Sequence, residues 1–199
     1  MPIIATRASA AYGAGFAAIT APAYLGPFGA YDALASVTLS ATTANVSFAG
    51  IPAGYKHLQI RAIAKNSAAS SGYDYIHATY NGDTAANYSL HYLYGNGASA
   101  IASGNTGLAY SRVGNLAQNS TTSVFGTSVI DIFDYTSTVK NKTIRSLSGH
   151  DANGNNTDGV VHYYSSAWFN ATSPITSIQL FPANGSFVTY SSFALYGVK

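Results

Sequence analysis

Beyond residue 30 the chain alternates between apolar and polar positions. In HLQIRAIA (57–64), Leu58, Ile60, Ala62 and Ala64 fall on one side, and His57, Gln59, Arg61 and Ile63 on the other. That is the period of two that a half-buried strand imposes. Similar short runs recur: LASVTL (34–39), NVSFAG (45–50), YDYIHATY (73–80), NYSLHYLY (87–94), SVFGTSVIDIF (123–133), KTIRSLSG (142–149), GVVHYYSSAWF (159–169), ITSIQLF (175–181) and SFVTYSSFALYG (186–197). In ITSIQLF the alternation slips at Ser177–Ile178, which suggests a bulge or a two-sided position. Asn81-Gly82 in YNGDT predicts a tight hairpin turn, because both residues tolerate positive φ. YGNGASAIASGNTG (94–107) reads as a long exposed loop. About ten strands and no convincing helix predict an all-β protein, an antiparallel β-sandwich or jelly roll over residues 31–199.

Residues 1–30 break the pattern. ATRASAAYGAGFAAITAPAYLGPFGA is dominated by Ala, Gly and Pro, and Pro22 and Pro27 interrupt any helix that starts there. Its apolar side chains, Ile3, Ile4, Tyr12, Phe16, Tyr24, Leu25 and Phe28, are too many for a solvated linker, and Arg7 is its one charge. Alone, such a segment buries too little surface to offset its ordering entropy. The expectation is an extended N-terminal arm over 1–30 that orders by lying on a neighbouring molecule, with these eight side chains making the attachment.

Composition agrees with a β-rich chain and narrows the chemistry. Of 199 residues, 47% are hydrophobic but only 8% are charged, and all seven acids are Asp. Helix-favouring Glu, Lys and Arg are scarce, while 16 Tyr and 9 Phe favour strands. A net charge of +2 is too small and too scattered for a nucleic-acid footprint. The absence of cysteine excludes disulfides and thiolate metal sites. No basic segment followed by a long apolar stretch reads as a signal peptide, and no apolar run approaches the length needed to span a bilayer.

Four groups of residues invite a chemical reading. HDANGNNTDG (150–159) is crowded with Asp151, Asn153, Asn155, Asn156, Thr157 and Asp158. Counted from Asp151 as a calcium loop, however, it lacks Gly at position 6 and has His162 at position 12 where an acid is needed. It is expected to be a hairpin loop, with no metal. Histidines His77 and His91 show no ligand spacing and are expected on solvent or interface faces. Asp131 and Asp134 fall on opposite faces of one strand, so they are not expected to act as a catalytic pair; they are expected to cap a strand end or to pair with Lys140, Lys142 or Arg145. No nucleophile elbow, phosphate loop or dinucleotide fingerprint is present, so no catalytic residues and no cofactor are assigned. The fourth group is aromatic: Tyr73, Tyr75, Tyr92, Tyr94, Tyr163 and Trp168 lie near Asn, Asp and Ser on strands, a composition that suits either a sugar-stacking face or a protein interface.

IATRASAAYGAGF, IPAGYKHLQIRAIAK, the YNGDTAANYSLHYLYG block, SVIDIFDYTSTVKNKTIRSLSG and ITSIQLFPANGSFVTYSSFALYGVK together cover most of the chain. In wording and order they resemble a group of tailed-bacteriophage virion proteins. The resemblance implies a non-enzymatic structural protein on the outer surface of the particle, displaying a β-sandwich and attached by its N-terminal arm to capsid or tail. It carries over no active-site residues. Two roles remain open: a capsid decoration (cement) or head-fibre protein, and a tail-fibre or receptor-binding module recognising host polysaccharide. The absence of room for an extended shaft favours the first. The implied partners are other virion proteins and further copies of the chain in a homo-oligomer, a trimer among them, with a host glycan as a further candidate and neither nucleic acid nor membrane.

Overall fold

The computed structural model describes residues 29–68, 72–117, 123–153 and 159–199. Ile3, Ile4, Arg7, Tyr12, Phe16, Tyr24, Leu25 and Phe28 lie outside the described residues. Among those described there is no helix and there are twelve strands: β1 (Tyr31–Thr38), β2 (Val46–Ala49), β3 (His57–Ala64), β4 (Tyr73–Tyr80), β5 (Tyr88–Gly95), β6 (Ala100–Leu108), β7 (Ser111–Ala117), β8 (Gly126–Phe133), β9 (Lys142–Asp151), β10 (Gly159–Trp168), β11 (Ser177–Pro182) and β12 (Ser192–Val198). They form an antiparallel β-sandwich. The larger sheet runs β1-β12-β3-β8-β9-β10-β5-β6 and the smaller β2-β11-β4-β7.

The order has an internal logic. Set aside β5–β6 and β9–β10, and two four-stranded sets remain, β1-β12-β3-β8 and β2-β11-β4-β7. Early strands sit beside late ones, and successive strands alternate between sheets except at β4 and β7, which pair with each other in the smaller one. The β5–β6 and β9–β10 hairpins are insertions. They join each other through β10 and β5, and so widen the larger sheet on one side.

The alternation seen in sequence sets which face is dry. Leu58, Ile60, Ile130, Ile132, Ile144 and Trp168 of the larger sheet belong to one buried cluster with Ile76, Ala78, Tyr80, Val113, Leu116, Ile178 and Leu180 of the smaller. Burial of such side chains at about 1.5–3 kcal/mol each is the main driving force for closing the sandwich. Gly114 is one place where the sheets come close. A Cβ placed there would lie 2.5 Å from the Ser128 hydroxyl on β8, so only Gly leaves room for that side chain under β7.

Two sequence expectations need correction. The segment 94–107 is not a loop: β6 occupies most of it, paired to β5, and β7 follows at once. Their Ala, Ser, Gly and Asn give no apolar alternation, and β6 is exposed almost throughout; main-chain pairing alone makes it a strand. Nor does the Asn81-Gly82 turn close a hairpin. Both residues have positive φ, 53° and 70°, and Asp83 N–H donates to the Tyr80 carbonyl at 3.0 Å, so the turn itself is the expected one. But β4 pairs with β11 and β7, whereas β5 pairs with β10 and β6. The reason lies in the turn's side chains. Asn81 Nδ2 donates to Pro174 O at 2.7 Å and its Oδ1 accepts from Thr176 N–H at 2.8 Å, which holds the corner against the approach to β11. Asp83 accepts from Trp168 Nε1 at 2.7 Å, which draws the outgoing chain to β10.

Lys142 is the least expected member of the interior. It has no exposed surface. Its ammonium donates to Ser137 O at 2.6 Å and Asn170 O at 2.9 Å, with Lys140 O and Ala171 O at 3.3 and 3.4 Å, and lies 5.7 Å from the Trp168 ring centroid. Burial lowers its pKa. The side chain thus fastens the β8–β9 connection to the segment leaving β10. Lys142→Met keeps the stem and deletes the donors, leaving buried carbonyls unsatisfied; urea unfolding should show a loss of about 2–4 kcal/mol with the β-type circular dichroism retained. An unchanged midpoint would mean that those carbonyls find other donors.

Candidate functional site

Where the inserted hairpins pass β4 and β7, the inner face changes from aliphatic to aromatic and imidazole side chains. Residues two apart on a strand share a face. Tyr73 and Tyr75 therefore reach the same region from β4, Tyr92 and Tyr94 from β5, and His162 and Tyr164 from β10. Tyr73 lies 5.6 Å from Tyr75 and 6.0 Å from Tyr94, centroid to centroid. His162 is sandwiched between Tyr94 at 4.7 Å and Tyr164 at 5.2 Å, both nearly parallel to it, and Tyr73 meets its edge at 4.9 Å. From β7, Arg112 places its guanidinium carbon 3.7 Å from the Tyr75 ring centroid and 5.8 Å from that of Tyr92. His77 stacks on Tyr110 at 3.8 Å beside it.

Of the six aromatic residues expected to form one face, the structure brings four together. Tyr73, Tyr75, Tyr92 and Tyr94 make the cluster, each half-buried. Tyr163 points from the opposite face of β10 and is exposed. Trp168 is wholly buried and donates to Asp83, so it offers no surface to a ligand. The period of two already separates Tyr163 from Tyr164; applying it strictly divides the list. Arg112 escapes sequence reading because β7 carries too few β-forming residues to be recognised as a strand.

The histidines correct another expectation. His77 does not face solvent: it is 5% exposed, and His162 is fully buried. His91 alone of the expected pair is exposed, lying across Gly104 of β6. Neither ring nitrogen of His162, nor Nε2 of His77, has a hydrogen-bond partner among the described residues. Burial, with the Arg112 charge adding to it, pushes both imidazoles down to about 3. Both are neutral at physiological pH. Burial likewise raises the Tyr73 and Tyr164 phenols well above their ordinary value. Among the described residues the cluster therefore carries one formal charge, on Arg112, in a frame of neutral rings.

The other candidates resolve into structure. Asp131 accepts from Gln59 Nε2 at 2.8 Å and stands beside Arg145 in register. Asp134 pairs with Lys140 at 2.7 Å, and its backbone N–H donates to His57 Nδ1. At 150–159, Asp151 is opposite Gly159 across the β9–β10 hairpin, and its Oδ1 accepts from Asn153 N–H at 2.7 Å. Residues 154–158 lie outside the described residues. Among those described, no group of three or more His, Asp or Glu is placed to hold a metal ion.

The buried imidazoles make stability pH-dependent. Their folded pKa lies below the unfolded value, so the native state excludes protons that the unfolded chain binds. Stability is complete above about pH 6.5 and is lost as pH falls towards 3, each histidine contributing a slope of about 1.4 kcal/mol per pH unit. Thermal unfolding followed from pH 7 to pH 4 should show a falling Tm, and His162→Phe should flatten the decline. A Tm independent of pH over that range would mean that neither imidazole is held neutral. Comparison with known proteins adds nothing to this chemistry: no family model, curated protein or solved structure matches the chain.

Proposed function

We propose that the protein is a non-enzymatic structural component of a phage virion, a β-sandwich displayed on the particle surface as a decoration (cement) or head-fibre protein. Residues 1–30 serve as the attachment arm and the sandwich associates with other copies. The virion assignment rests on the stretches that resemble phage structural proteins. The assembly role is supported by one geometric observation, the outward face of the larger sheet.

On that face the strand registers bring Val129, Leu147, Tyr163 and Leu93 side by side across β8, β9, β10 and β5. These four side chains are between 42% and 58% exposed, and Ile63 and Val161 flank them, exposed to a similar degree. The neighbouring row, Gln59, Asp131, Arg145, Ser165 and His91, is polar and carries one acid beside one base. Large apolar side chains in an unbroken row are more than the scattered exposure of an ordinary surface. With strands about 4.8 Å apart, a row across four of them is broad enough to meet another protein surface. Supporting a non-catalytic role, Asp131 and Asp134 are engaged in the local pairings described above.

Val129→Asp with Leu147→Asp places two charges in the middle of the apolar row without touching the core. The doubly substituted full chain should keep its circular dichroism and Tm, sediment as a smaller species than wild type, and join particles lacking the protein more weakly, because each arm then binds without the avidity of the oligomer. Wild type that sediments as a monomer and does not bind such particles would overturn the proposal.

A further inference from the structure

Of the strands that end the two sheets, β6 alone is both long and unguarded. β2 has four residues, β7 is held down on β9 and β10 through Asn115, and β1 carries Asp32. β6 runs for nine residues, AIASGNTGL, with neither a charge nor a proline, and nearly every position is exposed. Among the described residues its one strand neighbour is β5, and their register is regular from Ala100 to Thr106. Soluble proteins ordinarily blunt a sheet edge with charge, proline, a bulge or short length, and this span has none of these. Asn96 N–H donates to Ser99 O at 3.3 Å across the β5–β6 turn, which marks a bonded pair. Bonded and non-bonded pairs alternate along an antiparallel ladder. The main-chain groups of Ile101, Ser103 and Asn105 are therefore directed at β5, and those of Ala100, Ala102 and Gly104 point off the edge.

We infer that β6 is a pairing edge for a second copy of this chain, joined antiparallel about a two-fold axis at Ala102, so that two larger sheets become one. Donors and acceptors at strand spacing call for another extended backbone. Two observations select a second copy as its source. The edge is self-complementary: about an axis at Ala102 that residue meets its own counterpart and Ala100 meets Gly104, so outward donors face outward acceptors, and the small side chains leave the approach clear. The apolar row of the outward face also runs up to this edge. Leu93, its last member, stands opposite Ala102 in the register and so shares a face with it. The same axis therefore sets the row Val129, Leu147, Tyr163 and Leu93 end to end with its counterpart as one continuous stripe. An unrelated strand would leave the row ending at the edge. The inference deepens the assembly reading and rests on it for the association of copies, adding a main-chain contact to the side-chain one. An isologous contact closes on two copies, so this edge pairs protomers and does not by itself build a trimer.

The chain has no cysteine, so a single introduced thiol reports the register. In the full-length chain, Ala102→Cys brings two Cα atoms about 5.5 Å apart across the axis, within disulfide reach. Ala100→Cys separates them by about 13 Å along the strands. Mild oxidation should convert most of the Ala102→Cys chain into a covalent dimer, with the link mapped to position 102 by peptide mass, and should leave Ala100→Cys monomeric on a denaturing gel. Ala102→Pro removes an outward N–H and spares the β5 ladder; it should keep the β-type circular dichroism and sediment as a smaller species than wild type. The cross-link keeps the test open if the proline variant folds poorly. Equal cross-linking of the two cysteine variants would overturn the inference, as would wild-type sedimentation of a folded Ala102→Pro chain. An oligomeric wild type whose Ala102→Cys variant does not cross-link would give the edge to another occupant, overturning this inference while the assembly reading stands. Cross-linking at position 102 that persists when Val129→Asp and Leu147→Asp leave sedimentation unchanged would support the edge and remove the apolar row from the assembly reading.

Discussion

Asn115 is the interaction on which the arrangement of the two sheets depends. It is completely buried in β7, the edge strand of the smaller sheet. Its Oδ1 accepts from Ser148 on β9 and Tyr164 on β10, each at 3.0 Å. An edge strand has hydrogen-bonded neighbours on one side only, and β7 obtains its second set of fixings from the sheet beneath. Because a buried amide is costly unless satisfied, this contact permits few alternatives in how β7 lies over β9 and β10. Arg112, three residues earlier on the same strand, is placed over Tyr75 and Tyr92 as a consequence.

The same seam explains why the interior has two chemistries. Over β3, β8 and the start of β9 the sheets meet mainly through Ile, Leu, Val and Phe, and the contact is apolar. Towards β10 and β5 the inserted hairpins carry Tyr and His inward, and the smaller sheet answers with Tyr73, Tyr75 and His77 on β4 and Arg112 on β7. Aromatic rings tolerate polar tips at the boundary with water, so the aliphatic core gives way to the aromatic cluster without a cavity being required. The buried histidines lose stability at low pH through proton linkage, yet their neutrality leaves Arg112 as the sole charge beside the rings.

What the sequence made legible follows from the physics of alternation. β3 and β4 are read to their end residues because one face is apolar, and the spacing of two that groups Tyr73 with Tyr75 and Tyr92 with Tyr94 survives folding intact. Strand β6 could not be read this way: with almost every position exposed, no selection for an apolar face marks it, and its hydrogen bonds to β5 are invisible in composition. The Asn81-Gly82 turn shows a different limit. Local chemistry sets its dihedral angles, but which strands meet beyond it is decided by Asn81 bonding to 174–177 and by Asp83 bonding to Trp168, partners roughly 85 to 95 positions away. Arg112 was hidden for both reasons, on a strand of small residues and beside rings distant in sequence.

Scarcity of charge gives the remaining ionic groups their meaning. Inside a sandwich with few ions, a charge persists only where several groups solvate it. Asp74 accepts from Asn66 and Asn184, Asp83 from Trp168, Asn87 and the Ala85 amide, and Lys142 is wrapped in carbonyls. Each of these uses its charge to fasten segments distant in sequence. Arg112 departs from that rule. The ring faces of Tyr75 and Tyr92 lie against the cation, and its buried Nε has no hydrogen-bond partner among the described residues. Lys142 directs its donors at backbone carbonyls, whereas Arg112 is held by stacking on tyrosine.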